Sequence, residues 1–309
     1  MSASWRRAFD QWHVAARPDR DEAEWWAGAP SVVLGDDGAF WMAARMRTAE
    51  APLGLRGYEI RIYRSEDGLS FDAVHHILRE DVPVRGFERP ALLRNPRTGG
   101  FMLYGCSPMD AGWSILRFED AVSPDRFRAA TARPVIQPRV TEPTAPRVPS
   151  GYKDPVVVWA EGVFHCYVIG ILGCERVFHF VSSDGETWTA VPGSSSPIMD
   201  LRGWHTHAVR PASVLPAGPG YLFIYEGSST EWDDPAYNIA TGLGYTPDLH
   251  RIHDLTPDAP MLTSPTPGRL AVWRYSHWMW VGDRLFVYAE VECANGSHEI
   301  RAFTLDRAP

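Results

Sequence analysis

The sequence predicts an all-β protein, a five-bladed β-propeller with about four antiparallel strands per blade. Three observations predict it. Strand–turn–strand units recur, most plainly at 151–170 (GYKDPVVVWAEGVFHCYVIG), where β-branched and aromatic runs flank the turn Glu161-Gly162. Prolines 30, 90, 155 and 211 introduce four of the units and are spaced 60, 65 and 56 residues apart, a near-regular period of the kind repeat architectures show. A second element, Ser-x-Asp-Gly with an aromatic three residues on, follows two of the units, at 65–71 and 182–188. Units of about four strands repeated around an axis make propeller blades. The alternative is a β-sandwich with accidental internal similarity.

The units run in order. The first has Gly28-Ala29-Pro30, a strand at 31–34, a turn at 35–38 and a strand at 40–45. The second has Phe87-Glu88-Arg89-Pro90, strands at 91–93 and 101–105, and a turn at 95–100. The third is 151–170. The fourth has Val209-Arg210-Pro211, strands at 212–215 and 221–225, and a turn at 216–220. The fifth lacks the proline: strands at 273–281 and 285–290 flank Gly282-Asp283. The Asp-Gly elements read as tight hairpin turns between outer strands. A looser copy is Pro247-Asp248-Leu249. The blades then span 28–80, 87–135, 152–195, 205–258 and 272–309, in one domain covering 1–309. Residues 1–27 form a lead-in, with a weak helical pattern near 4–16. Prolines at strand starts cost no ladder bond. The five prolines of 134–149 make an extended loop leading to Asp154.

Composition narrows the function. Hydrophobic residues make up 45% of the 309 positions, enough for a large core. The net charge of −8 and the lack of any Lys/Arg block argue against nucleic acid or an anionic membrane as partner. No apolar run approaches the ~20 residues of a membrane span. The N-terminal residues lack the apolar segment of a signal peptide, so the expected location is cytoplasmic, with secretion open should the chain have been trimmed. Cys106, Cys166, Cys174 and Cys293 read as reduced thiols. Thirteen tryptophans exceed ordinary usage; most read as core, while Trp25, Trp26, Trp204 and Trp278 are candidate sugar platforms.

In a propeller the residues just before the innermost strands ring one mouth of the central channel. That ring would gather Ala29, Glu88, Arg89, Lys153, Asp154, Val209, Arg210, Tyr275 and His277. Two carboxylates flanking a bond are what glycoside hydrolysis requires. Asp154, Glu88 and Glu226 are therefore the candidate catalytic residues. Arg89, Arg210, Lys153, His205, His207, Trp204, Tyr275, His277, Glu290 and Trp26 are the candidate substrate contacts. Glu24 is a further, weaker candidate. The alternating His205 and His207 could contact the sugar, act as acid or base, or ligate a metal. No cofactor is expected, although a divalent metal in the channel remains an alternative. The partner expected is a small sugar or oligosaccharide.

These motifs resemble the five-bladed propeller glycosidases: the arabinanase and β-xylosidase, invertase, and mannoside phosphorylase families. Tyr152-Lys153-Asp154-Pro155 is similar to the Arg-Asp-Pro of invertases and to the third-blade Asp of arabinanases. The resemblance implies that Asp154 stabilises the transition state or tunes the acid. Phe87-Glu88-Arg89-Pro90 resembles the Glu-Asp-Pro of mannoside phosphorylases. The sequence departs from the pattern twice. The first-blade Asp-Pro is Ala29-Pro30, and the fourth-blade acid would fall at Val209. The function expected is a glycosidase, a hydrolase acting on a small glycoside. The alternatives are a non-catalytic carbohydrate-binding propeller and a His- or metal-dependent sugar lyase.

Overall fold

The computed structural model describes residues 7–52, 55–139, 147–193, 196–266 and 268–306. Among these residues the fold is all-β, with helix confined to 3-10 turns of three residues each. No helix among them is long and apolar enough to cross a membrane.

The described strands form three four-stranded sheets and one eight-stranded sheet. The three are antiparallel meanders. One runs through Ala91–Arg94, Phe101–Met109, Gly112–Arg117 and Arg133–Ile136. The next runs through Tyr152–Ala160, Val163–Leu172, Cys174–Ser182 and Thr189–Val191. The third runs through Ala208–Ala217, Gly220–Ser228, Ala240–Thr246 and His253–Asp254. The eight-stranded sheet is two meanders joined at a single parallel pair, Trp26 with His298. One meander is Trp26–Leu34, Phe40–Arg47, Gly57–Ser65 and Asp72–Leu78. The other is Trp273–Val281, Arg284–Glu292 and His298–Asp306, and His13–Ala16 is its fourth strand. The N-terminal segment is therefore a 3-10 turn at Ala8–Asp10 and a strand; the expected helix does not form over its described part.

Burial grades along each meander. Trp26–Leu34 is buried for seven of its nine residues, whereas Asp72–Leu78 is largely exposed. First strands covered on both faces carry continuous apolar runs instead of alternation. The first strands also touch in a cycle. Trp26–Leu34 packs on Ala91–Arg94, that on Tyr152–Ala160, that on Ala208–Ala217, that on Trp273–Val281, and the last returns to Trp26–Leu34.

Most of the prolines sit elsewhere than expected. Ala91–Arg94 starts directly after Pro90 as expected, but the first strands holding Pro30, Pro155 and Pro211 begin upstream of them, and the ladder slips at Gly28/Ser31, Lys153/Val156, Pro211/Ser213 and Arg274/His277. Pro30 and Pro155 fall inside these bulges, where an N–H is not needed. Ala29, Asp154 and Tyr275, at the matching bulge positions, have φ of 54°, 56° and 54°. For a bulky tyrosine that is an uncommon and costly conformation.

The Asp-Gly elements are hairpin turns, as the sequence suggested. In each, the serine hydroxyl accepts the glycine N–H and the aspartate accepts two backbone N–H groups beyond it. Each turn is also latched by a tyrosine of a neighbouring meander. Tyr288 donates to the Gly68 carbonyl at 2.9 Å, Tyr104 to Gly185 at 2.6 Å and Tyr167 to Leu249 at 2.6 Å. Leu249, with φ 62°, takes the glycine position of the looser copy. Apolar clusters fill the spaces between meanders; one joins Met102, Tyr104 and Cys106 to Val157, Phe164 and Cys166. Trp273 and Trp278 are buried against Phe9, so Trp278 is core. All four cysteines are free thiols.

Candidate active site

The bulges tilt successive residues toward a common hollow. Its volume is about 240 Å³. Four cations line it, Arg47, Lys153, Arg210 and Arg274, with two carboxylates, Glu88 and Glu175, and three aromatics, Trp113, Tyr237 and Tyr275. Lys153 and Arg274 occupy the residue before the bulge in their strands. The equivalent residue of the first strand is Gly28, and it has to be small: a Cβ there would lie 1.7 Å from Glu290 Oε2.

Two ion networks build the walls. On one side Glu290, fully buried, accepts from Arg45 Nη2 at 2.7 Å and Arg274 Nη2 at 2.8 Å, and its Oε1 lies 2.6 Å from His298 Nδ1. Arg45 reaches on to Glu88 at 2.6 Å. Burial opposes charge on Glu290, but Arg274 and Arg45 hold its carboxyl far below the usual carboxylate range. On the other side Glu175 accepts from Lys153 Nζ at 2.6 Å and from Arg210 Nε. The two cations overcome burial and bring Glu175 down to about 2.

Glu88 and Asp154 titrate in opposite directions. Burial opposes the charge on Glu88, but Arg45, Arg47, Lys153 and Arg274 outweigh it, so Glu88 sits below its ordinary value. Burial raises Asp154, and the negative charge of Glu88 adds to that against Lys153. Asp154 is 1% exposed and lies behind the wall. Its Oδ2 accepts from the Tyr275 hydroxyl at 3.3 Å, its Oδ1 from the Arg89 N–H at 3.3 Å, and its own N–H donates to Cys106 Sγ at 3.2 Å. Tyr275 thus stands between Asp154 and the hollow.

The remaining candidates divide clearly. Glu88, Lys153, Arg210 and Tyr275 line the hollow. Glu226 and Glu290 are fully buried beside it. Glu226 accepts the Ser276 N–H at 2.8 Å, its other oxygen has no partner, and burial raises its pKa. Arg89 faces away from the hollow and donates to the carbonyls of Pro211, Ala212 and Ser276, which ties three segments together. Trp26 has no free face for a sugar: His298 stacks on it at 4.0 Å, and the Arg47 guanidinium lies 3.8 Å from its ring centre. Both cannot share one face. Trp204 and His205 pack with Tyr225, and His205 Nε2 is 3.0 Å from Asp254 Oδ2. The backbone of His207 pairs with Ser228. His277 lies in a different, largely apolar hollow of about 280 Å³ with Val32, Leu92, Val157, Trp159 and Val214. Glu24 pairs with Arg56 at the edge of a third hollow of about 420 Å³, which shares Tyr237 with the charged one. Trp25 is buried, with Arg20 over its ring.

The sequence reading missed Arg45, Arg47, Trp113, Glu175, Tyr237 and Arg274. Arg274 was within reach, since it stands where Lys153 stands in the third unit. Arg45 and Arg47 share a period of two in a strand otherwise apolar. Nothing in the sequence around Glu175 marks it. Among the described residues no three His, Cys, Asp or Glu side chains come together as a metal-binding group.

No family model matches the chain, and no curated protein matches it. Solved structures do. A β-1,2-mannobiose phosphorylase from Listeria innocua, in complex with β-1,2-mannobiose, superposes with a TM-score of 0.67 at 14% identity, over 94% of this chain and 92% of that one. A thermostable family-43 glycoside hydrolase gives 0.64 at 12% identity, over 95% and 97%. An α-L-arabinofuranosidase from Lactobacillus brevis gives 0.64 at 13% identity, over 94% and 92%. The resemblance to the glycosidase and phosphorylase folds holds over nearly the whole chain, and at these identities it is a likeness of fold.

Proposed function

We propose that the chain is a glycosidase, acting on a small glycoside or oligosaccharide held in the charged hollow, and that its sheets are five blades of one domain. The cycle of contacts among the first strands supports the blade count, with His13–Ala16 completing the last blade. The observation that carries the chemistry is the Glu88–Asp154 pair. Two carboxyl groups on neighbouring units have pKa values pushed apart, and such divergence separates a base from an acid. Glu88, ionised and facing the hollow, takes the proton of the attacking water. Asp154, protonated, gives its proton to the Tyr275 oxygen while the Tyr275 O–H, turned from Asp154 to the hollow, gives its own to the leaving oxygen, so that Tyr275 ends neutral and Asp154 ionised. The water oxygen bonds to the anomeric carbon as the glycosidic C–O bond breaks.

One observation favours a second reading, a sugar-binding propeller without turnover: neither Asp154 nor Glu226 itself lines the hollow. A panel of aryl glycosides decides between them. For the enzyme, turnover is measurable and drops at least ~100-fold in both Glu88→Gln and Asp154→Asn, the scale of an acid or base contribution. Saturable sugar binding without turnover selects the second reading.

A further inference from the structure

We propose that the sugar carries its own carboxylate, as a hexuronic acid does, and that Arg47 receives it; this rests on the reading of the hollow as a saccharide site. Four cations line the hollow. Three are already matched: Lys153 and Arg210 with Glu175, and Arg274 with Glu290. Arg47 is not. It is 4% exposed, and among the described residues no carboxylate lies within ion-pair distance of it. Its Nη2 reaches only the Tyr237 hydroxyl, at 3.4 Å, and its Nε has no partner. Burying a guanidinium without a counter-ion is costly, so the position is stable only if something sustains the charge. Trp26 covers one side of the guanidinium, 3.8 Å away, and Glu88 acts on it from a distance without pairing. Stacking on Trp26 fixes the plane, and Arg47 lines the hollow.

A flat fork of that kind fits a planar carboxylate through two parallel hydrogen bonds. A free phosphate, with up to two charges and tetrahedral oxygens, calls for several unmatched donors, and the neighbouring cations are engaged. The vacant charge is single and the fork is single. That matches a monovalent planar group on the sugar.

The test is calorimetric titration of the native protein with glucuronate, galacturonate, glucose and galactose at low salt, with inorganic phosphate as a separate ligand. A hexuronate is expected to bind roughly 10- to 100-fold more tightly than its neutral counterpart, the scale of a charge-assisted hydrogen bond. In Arg47→Gln, checked by thermal melting, the preference collapses toward one. Equal binding of acid and neutral sugars overturns the inference, and so does a preference that survives Arg47→Gln. Phosphate binding that depends on Arg47 while hexuronates fail also overturns it. If Arg47→Gln does not fold, the native preference decides alone. Binding is read without turnover, so an inactive protein that prefers hexuronates sinks the glycosidase reading and leaves this one standing. An active protein that prefers neutral glycosides does the reverse.

Discussion

Arg45 Nη2 donates to Glu290 Oε2 at 2.7 Å, and both side chains are completely shielded from water. The pair joins a strand from one end of the chain to a strand from the other, and it holds Arg274 against the hollow. Removing one member strands the rest. Glu290→Gln should therefore destabilise the protein by about 3–5 kcal/mol, the usual cost of breaking a buried ion pair from one side. Urea unfolding measures it. A loss under 1 kcal/mol would mean that the network is not the clamp described.

The acid–base assignment dictates a pH profile. Glu88 has to be ionised, so kcat/KM falls as pH drops through its lowered pKa. Asp154 has to be protonated, so kcat/KM falls again as pH rises through its raised one. The expected curve is a bell. Asp154→Asn should lose the descending alkaline limb along with most of the rate. A variant that keeps that limb assigns the acid to another group.

Acid should weaken the fold through buried histidines. His165 Nδ1 lies 3.0 Å from His179 Nε2 inside the third meander, and the other ring nitrogen of each has no partner. Burial and the neighbouring imidazoles push them down to about 4 and about 3. A lowered histidine pKa favours the neutral folded form. Its contribution is complete above the unfolded value of about 6.5 and fades as pH falls toward the folded value. Each such group tilts stability by up to about 1.4 kcal/mol per pH unit in that window. His179→Phe should flatten the slope between pH 6.5 and 4.5 by about one proton, read from urea midpoints. An unchanged slope would remove His179 from the account.

The tyrosine latches should act singly. Tyr104→Phe, Tyr167→Phe and Tyr288→Phe each delete one buried hydroxyl and leave a carbonyl unmatched, at a cost of about 1–3 kcal/mol. The three lie in separate inter-sheet seams, so the triple variant should lose close to the summed amount. Strong non-additivity would show that the seams open together.

Much of the architecture was legible because repeats are local. Each unit announces its strands by β-branched runs and its turns by Asp-Gly, and even Leu249 was found from its place in a looser copy. The ring logic also found Glu88, Lys153, Arg210 and Tyr275 at one hollow, since matching positions in repeated units converge. It failed where position along a strand does not determine depth. His205 looked like a site residue but pairs with Asp254 of the fourth meander, and His207 does not line the hollow. Glu290 looked like a substrate contact but is spent on Arg45, Arg274 and His298.

The sequence alone determined the all-β character and the Asp-Gly hairpin turns, because these depend on periodicity and turn chemistry within a few tens of residues. The tertiary structure decided which charges of the hollow are engaged and, among the described residues, that Arg47 has no carboxylate partner. That choice depends on pairings such as Arg45 with Glu290, 245 positions apart. It depends too on bulges that aim Asp154 behind Tyr275, and on the burial of Arg47 against Trp26. Burial and long-range Coulomb partners set those outcomes, and neither is written in any local stretch of residues.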